Sequence, residues 1–263
     1  MLNVLITGAA SGIGKAVKEE FLRNGHNVYA LDLNEIEKQE NVISFKANIT
    51  NKDDLLEVYN SLKKDNIELD LIINVAGIHK MASMVESNYD DLKKVIDINL
   101  LGTMLVNNVF HPLLKEKGRI VIVTSEVASF DPMPFNGLYN VSKTGLDCYA
   151  QALRQELNLI NQKVITIRPG AIETPLSGES MNDTERLAKD TKLYKKQANK
   201  FLNIARKFMG TPIKPEKMGK LIYKASIAKH PKLIYKKHQN IGLVLLNILP
   251  KRLQCFVIKT LLK

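Results

Sequence analysis

Residues 7–14 read TGAASGIG, directly after the apolar run LNVLIT (2–7) and directly before a helix-like stretch at 12–24. Gly8, Gly12 and Gly14 let a backbone turn tightly at a strand end and let another group come close to it. Strand, sharp glycine turn and helix is the most restrictive pattern in the chain. Related runs follow: NVYALD (27–32), VISFKA (42–47), LDLIIN (69–74), GRIVIVTS (118–125) and KVITIR (163–168). They are short, rich in β-branched residues and continuously apolar, as parallel strands covered on both faces are. Helices are expected between them at 51–64, 88–115 and 137–160. The alternation predicts an α/β fold, a doubly wound parallel sheet flanked by helices. A chain of 263 residues fits one such domain spanning 1–263.

Past residue 170 the pattern changes. A polar stretch, LSGESMNDTER, leads into a Lys-rich helix expected near 183–208. GTPIKPE (210–216) is a break, a helix is expected near 215–228, and KHPKLIYKK offers a last strand. Pro250 fits the first turn of a further helix. In it Leu253, Phe256, Val257 and Leu261 share one arc, with Arg252, Lys259 and Lys263 on its flank. Residues 185–263 hold 20 Lys+Arg against 3 Asp+Glu, a balance of +17; residues 1–184 hold 18 against 24, a balance of −6. So basic a segment suits an anionic partner or a solvated face. The tail at 239–263 is expected either to lie on an anionic membrane surface or to cover a pocket or a subunit interface. Nucleic acid is not expected, because the basic segment lacks interleaved aromatics and a reader motif.

Two cysteines without a CxxC pair argue against a disulfide scaffold or a metal site and for a reducing compartment. The first apolar run enters the glycine turn without a leader, and no apolar run nears the ~20 residues that span a bilayer. A cytoplasmic protein, with peripheral membrane association through the tail, is the expectation.

The glycine turn followed by a helix start suits a pyrophosphate, with a plain tight turn as the alternative. Asp32 closes the second strand 18 residues past Gly14. A carboxylate there accepts from both hydroxyls of an adenosine ribose and repels a 2′-phosphate. No Lys or Arg lies between Gly8 and Gly14, and Leu33 and Asn34 follow the Asp. NAD(H) is therefore favoured, with NADP(H) as the alternative. Farther on, YNVSK (139–143) sets Tyr139 four residues before Lys143, so on a helix both point into the same space.

Taken together, TGAASGIG, NVAG (74–77), Asn99 in DINLLGT, Ser125 in IVTSE, YNVSK and RPGAIET (168–174) resemble the short-chain dehydrogenases/reductases. The motifs keep that family's order over about residues 1–175. The resemblance implies a Rossmann-type fold, with Asn99, Ser125, Tyr139 and Lys143 as the catalytic four. It also implies a phosphate turn of Gly8, Ser11, Gly12, Ile13 and Gly14. Asn48 and Ile49 would lie at the adenine, Asn74, Ala76 and Gly77 near a cofactor ribose, and Pro169, Gly170, Ile172 and Thr174 at the nicotinamide. Two departures are Val75 in place of a second asparagine and Asn48 in place of an aspartate. The loop 126–138 is one residue longer than is common. In this family Tyr139 exchanges a proton with the alcohol or carbonyl oxygen, Ser125 orients that oxygen, Lys143 lowers the phenol's pKa and binds ribose, and Asn99 holds a water. Glu126 reads as a solvated loop residue, with a polar contact at the mouth of the substrate pocket as the alternative, and His79 as a surface histidine, with a place lining the cofactor cleft as the alternative; neither belongs to the catalytic set.

The resemblance implies an oxidoreductase interconverting an alcohol and a carbonyl on a hydrophobic, lipid-like substrate such as a steroid or retinoid. A dimer or tetramer and a substrate lid at 175–210 are also implied. A 3-oxoacyl-thioester reductase is the alternative enzyme; a non-catalytic nucleotide-sensing or membrane-interaction module is the alternative of another class.

Overall fold

The computed structural model describes residues 1–208 and 212–263. Seven strands form one sheet: β1 (Asn3–Thr7), β2 (Asn27–Asp32), β3 (Val42–Lys46), β4 (Leu69–Asn74), β5 (Leu114–Val123), β6 (Lys163–Pro169) and β7 (Ile234–Lys237). The order is β3-β2-β1-β4-β5-β6-β7, and every pair is parallel. Parallel neighbours need crossover helices, which is why both faces are covered. In β1, Leu5 packs with Tyr29, Leu31, Ile120 and Ile122 on one face. Val4 and Ile6 pack with Val28, Ala30, Val121 and Val123 on the other. Burying one such side chain is worth about 1.5–3 kcal/mol.

Helices α1 (Gly12–Arg23), α2 (Lys52–Lys64) and α5 (Gly137–Asn158) lie where the sequence places them. The helix expected to run unbroken over 88–115 does not. It divides into α3 (Tyr89–Ile96), a π-helical segment (Asp97–Gly102), α4 (Thr103–Phe110) and a 3-10 turn (His111–Leu113). Pro112 closes the last of these, and β5 begins at Leu114, four residues before the expected Gly118. The wide segment forms where Asn99 turns inward to hydrogen-bond other elements; single π turns often mark such places.

The polar stretch after residue 174 is helical. Pro175 occupies the first turn of α6 (Pro175–Asp190), where its missing N–H costs nothing, and the Ser177 hydroxyl accepts from Thr174 N–H (3.1 Å). The single helix expected near 183–208 is therefore two, α6 and α7 (Lys195–Phe208). The turn between them is held from outside: Glu86 accepts from the Thr191 hydroxyl (2.5 Å), Lys192 N–H (2.8 Å) and Leu193 N–H (3.1 Å). Within the expected break at 210–216, residues 210 and 211 lie outside the described residues, and α8 (Pro215–Ile227) starts on a proline.

The tail forms two helices, α9 (Ile241–Ile248) and α10 (Lys251–Leu262). Asn240 caps α9 by accepting from Leu243 N–H (3.2 Å). The link from β7 to α9 runs so close to the end of β6 that a Cβ on Gly170 would lie 1.8 Å from the His238 carbonyl oxygen. Gly170→Ala should therefore push the link away and destabilise the chain by about 1–3 kcal/mol, a few degrees in Tm. An unchanged melting curve would contradict that packing.

Candidate active site

The ends of β1, β4, β5 and β6 open on one crevice, at the point where strand order reverses between β1 and β4. In open parallel sheets ligands bind in this place. Gly8 has φ of +70°, and a Cβ on it would meet Ala76 N at 2.8 Å, so only glycine keeps the turn after β1 this close to the segment after β4. Thr7 Oγ1 accepts from Val75 and Ala76 N–H (3.2 and 3.3 Å), fixing that approach. Ser11 stands at the start of α1 with no side-chain cap, no acidic residue occupies the first turn, and Gly12 and Gly14 bring no side chains. The open N–H groups and the positive end of the helix fit the pyrophosphate of a dinucleotide. Ile13 leans into the apolar layer beneath, and Thr174 seals the far wall, its Cγ2 3.1 Å from a Cβ placed on Gly12.

Asp32 accepts from Ala10 N–H (3.0 Å) and Asn34 N–H (2.9 Å), so it also braces the glycine turn. Lys46 stands beside it in register on β3, a cation that only strand pairing brings there. The Asn48 oxygen accepts from both the N–H and the hydroxyl of Thr50 (3.0 and 2.9 Å), and Ile49 is buried against Gly102. Asn74 is buried and donates to Asn107 Oδ1 (2.8 Å). Pro169 and Gly170 end β6, and Ile172 is buried and bridges to Ile213.

Asn99, Ser125, Tyr139 and Lys143 come together, all buried. Asn99 accepts from Ile78 N–H (2.8 Å) and donates to Ile78 O and Ser142 Oγ (2.9 Å each). Its carboxamide thereby ties the segment after β4 to α5. A Cβ on Gly77 would sit 3.0 Å from Asn99 Oδ1 and 3.3 Å from Lys143 Nζ, so glycine leaves room for both. Lys143 Nζ donates to Val123 O (3.3 Å) and lies 5.9 Å from the centre of the Tyr139 ring.

The expected lowering of the phenol by the lysine is not found. Burial pushes Tyr139 up to about 12, the Ser125 hydroxyl pulling the other way. Burial pushes Lys143 down to about 8. The ammonium lies 5.9 Å from the ring centre and does not act on the phenol, whose pKa the dryness of the pocket sets.

Two residues read as solvated are not. Glu126 is buried, accepts from Asn240 N–H (2.6 Å), and is pushed up by that burial. The His79 ring lies 4.2 Å from that of Tyr139. The tail braces the neighbouring loop, since Asn247 Oδ1 accepts from Asp131 N–H (2.6 Å) and Lys251 pairs with Asp131. Helices α6 and α7 close the other side: Ala188, Ala198 and Leu202 pack on Met81 and Phe135, and Lys80 pairs with Asp183 (3.6 Å). A cavity of about 290 Å³ remains beside His79, between the segment after β4 and α6. A larger hollow, about 430 Å³, lies farther out along α6, and none of the four residues lines either space.

This fold and crevice define a dinucleotide-binding oxidoreductase. A family model described as short chain dehydrogenase matches residues 2–185, and the chain belongs to that family. It is similar to the NADPH-dependent 1-acyldihydroxyacetone phosphate reductase of Schizosaccharomyces pombe, 33% identical over 200 residues, covering 73% of this chain and 67% of that one. It is also similar to the 3-oxoacyl-(acyl-carrier-protein) reductase of Thermotoga maritima, 31% identical over 184 residues, covering 66% and 75%. Among solved structures it resembles a short chain dehydrogenase family protein from Francisella tularensis, with TM-score 0.75 and 25% identity over 90% of this chain and 96% of that one.

The Lys143 shift has a measurable consequence. Folded Lys143 gives up its proton near 8, whereas in the unfolded chain it keeps it to its ordinary 10.5. Between those values the unfolded state binds the extra proton, so this group makes stability rise with pH. Urea midpoints at pH 8 and pH 10 should show a rise in the native chain that is smaller in Lys143→Met. Parallel pH dependence in the two proteins would refute a dry, charged lysine here.

Proposed function

We propose that the chain interconverts an alcohol and a carbonyl on a hydrophobic, lipid-like substrate, with NAD(H) as the favoured cofactor. The observation carrying this reading is the presentation of Tyr139 and Lys143 from one face of α5 beside Ser125, all buried at the crevice. When bound, the dinucleotide supplies the hydride chemistry. Gly8, Ser11, Gly12, Ile13 and Gly14 hold its pyrophosphate, Asp32 its adenosine ribose, and Lys143 its nicotinamide ribose. Asn48, Ile49, Asn74, Ala76, Gly77, Pro169, Gly170, Ile172 and Thr174 line its course. Tyr139, held protonated by burial, donates its phenolic proton to the carbonyl oxygen and takes it back in the reverse direction. Ser125 donates a hydrogen bond to the same oxygen. Asn99 acts through position, fixing Ile78 against α5.

Two relatives named as reductases of acyl compounds support the reducing direction and an acyl-bearing substrate. They also keep the 3-oxoacyl-thioester reading as the second choice. On the cofactor, Asp32 favours NAD(H); Lys46 beside it and the NADPH dependence named for the S. pombe relative favour NADP(H). A homo-oligomer is part of the same reading. The test is oxidation of NADH and of NADPH across long-chain ketones, ketosteroids, retinals and 3-oxoacyl thioesters. We expect turnover with a higher kcat/KM for NADH. Tyr139→Phe should lose about 100-fold or more of turnover and keep NADH affinity within a few-fold, since the ring remains and the proton does not. Full activity in that variant sinks the mechanism, and a preference for NADPH sinks the Asp32 argument.

The tail bears on where the substrate is met. Among the described residues no helix is long and apolar enough to cross a membrane. The α10 helix buries Gln254 and Leu262 and leaves Leu253, Phe256 and Leu261 exposed, continuous in sequence with exposed Ile241, Leu245 and Ile248 of α9. Lys251, Arg252, Lys259 and Lys263 are exposed around them. We assign this face to an anionic lipid surface, where each basic residue contributes about 1 kcal/mol and the apolar side chains add burial. The whole chain should float with phosphatidylserine vesicles, less so at high salt, and Leu245→Glu/Phe256→Glu should not. Flotation unaffected by either change would contradict the assignment.

A further inference from the structure

Among the described residues four side-chain polar atoms are buried without a hydrogen-bond partner, and two of them, His79 Nδ1 and Asn136 Oδ1, flank the start of α5. The His79 ring packs at a tilt of 46° against that of Tyr139, and the 290 Å³ cavity opens beside it. Asn136 immediately precedes α5, where an asparagine normally spends its side-chain oxygen on the first N–H groups of the helix; here it makes no such bond. The backbone holds it there at some strain. Phe135 has φ of +67°, an uncommon conformation for a bulky residue, and its carbonyl accepts from Ala82 N–H (2.8 Å). That bond draws the lengthened loop after Ser125 onto the segment carrying His79. Burial pushes His79 down to about 4; the Asn136 side chain, which faces it outside hydrogen-bond geometry, opposes, and Lys143 acts with burial. The imidazole is therefore neutral at physiological pH, with one ring nitrogen donating and the other accepting.

We propose that His79 and Asn136 form a subsite for a substrate hydroxyl on a carbon close to the reacting one, so that the preferred substrate is an α-hydroxy ketone and its product a 1,2-diol. A hydroxyl accepts from His79 Nδ1–H while donating to Asn136 Oδ1, and so satisfies both atoms at once. A second carbonyl or a carboxylate only accepts, and would leave Asn136 Oδ1 facing another lone pair. Met81, Phe135 and Leu202 pack together as an apolar cluster behind the pair. The assignment rests on the alcohol–carbonyl reading above and narrows it to one substrate class.

The test uses 1-hydroxydodecan-2-one against dodecan-2-one in turnover, and dodecane-1,2-diol against dodecan-2-ol in binding. Binding is measured by calorimetry on the Tyr139→Phe protein with NADH, which requires no turnover. The hydroxy ketone and the diol should each be preferred about tenfold or more, as for a site built around a hydroxyl. His79→Ala and Asn136→Ala should each abolish the preference and leave the plain ketone within about threefold, the cost of one peripheral contact being small. Equal binding of diol and mono-alcohol overturns the subsite: the two side chains then close on each other. An equal loss on both ketones in the variants overturns it as well, since His79 would then serve only to place Tyr139. A diol preference in binding without turnover of any ketone leaves the subsite standing and removes the alcohol–carbonyl reading.

Discussion

Everything at the crevice depends on the carboxamide of Asn99. It satisfies both the N–H and the carbonyl of Ile78 and reaches Ser142, one residue before Lys143. Three elements distant in sequence meet at one buried amide: the segment after β4, the π-helical turn and α5. Each bond is made away from water, where an unmade partner costs about 1–3 kcal/mol. The glycine at 77 belongs to the same device, because a methyl group there would press on Asn99 Oδ1 and Lys143 Nζ together. Tyr139 is then placed by helical geometry, one turn from the lysine.

The resulting chemistry is that of a dry acid. Burial chiefly sets the phenol high and the ammonium low, whereas the simple expectation from charge proximity runs the other way for the phenol. Desolvation decides between them: the ammonium, 5.9 Å from the ring centre, contributes nothing to the phenol that offsets the loss of water. Glu126 adds to the effect, since its carboxylate also raises the phenol.

Much of this was legible in the residues. The β-branched runs located the sheet, because strands buried on both faces must be apolar throughout, and the spacing of Tyr139 and Lys143 predicted their shared direction. What was not legible depends on contacts between distant segments. The π-helical turn follows from where Asn99 finds partners, which no helical periodicity encodes. The division of α6 from α7 follows from Glu86, about a hundred residues earlier. His79 and Glu126 look like ordinary polar loop residues until the loop after Ser125 and the tail fold over them. Lys46 is set opposite Asp32 only by the register of β2 with β3. IGLVLLNI is too short and too uniformly apolar to announce itself as a surface helix.

The brace that the tail supplies has a consequence for how the molecule is made. Glu126 and Asp131 wait for partners 114 and 116 residues farther along the chain. A polypeptide emerging from its N-terminus can complete the β1–β6 sheet and the glycine turn while these partners are still unmade. Assembly is thus ordered as frame first and pocket last, and a nascent chain holds a nearly finished sheet before it holds a finished pocket.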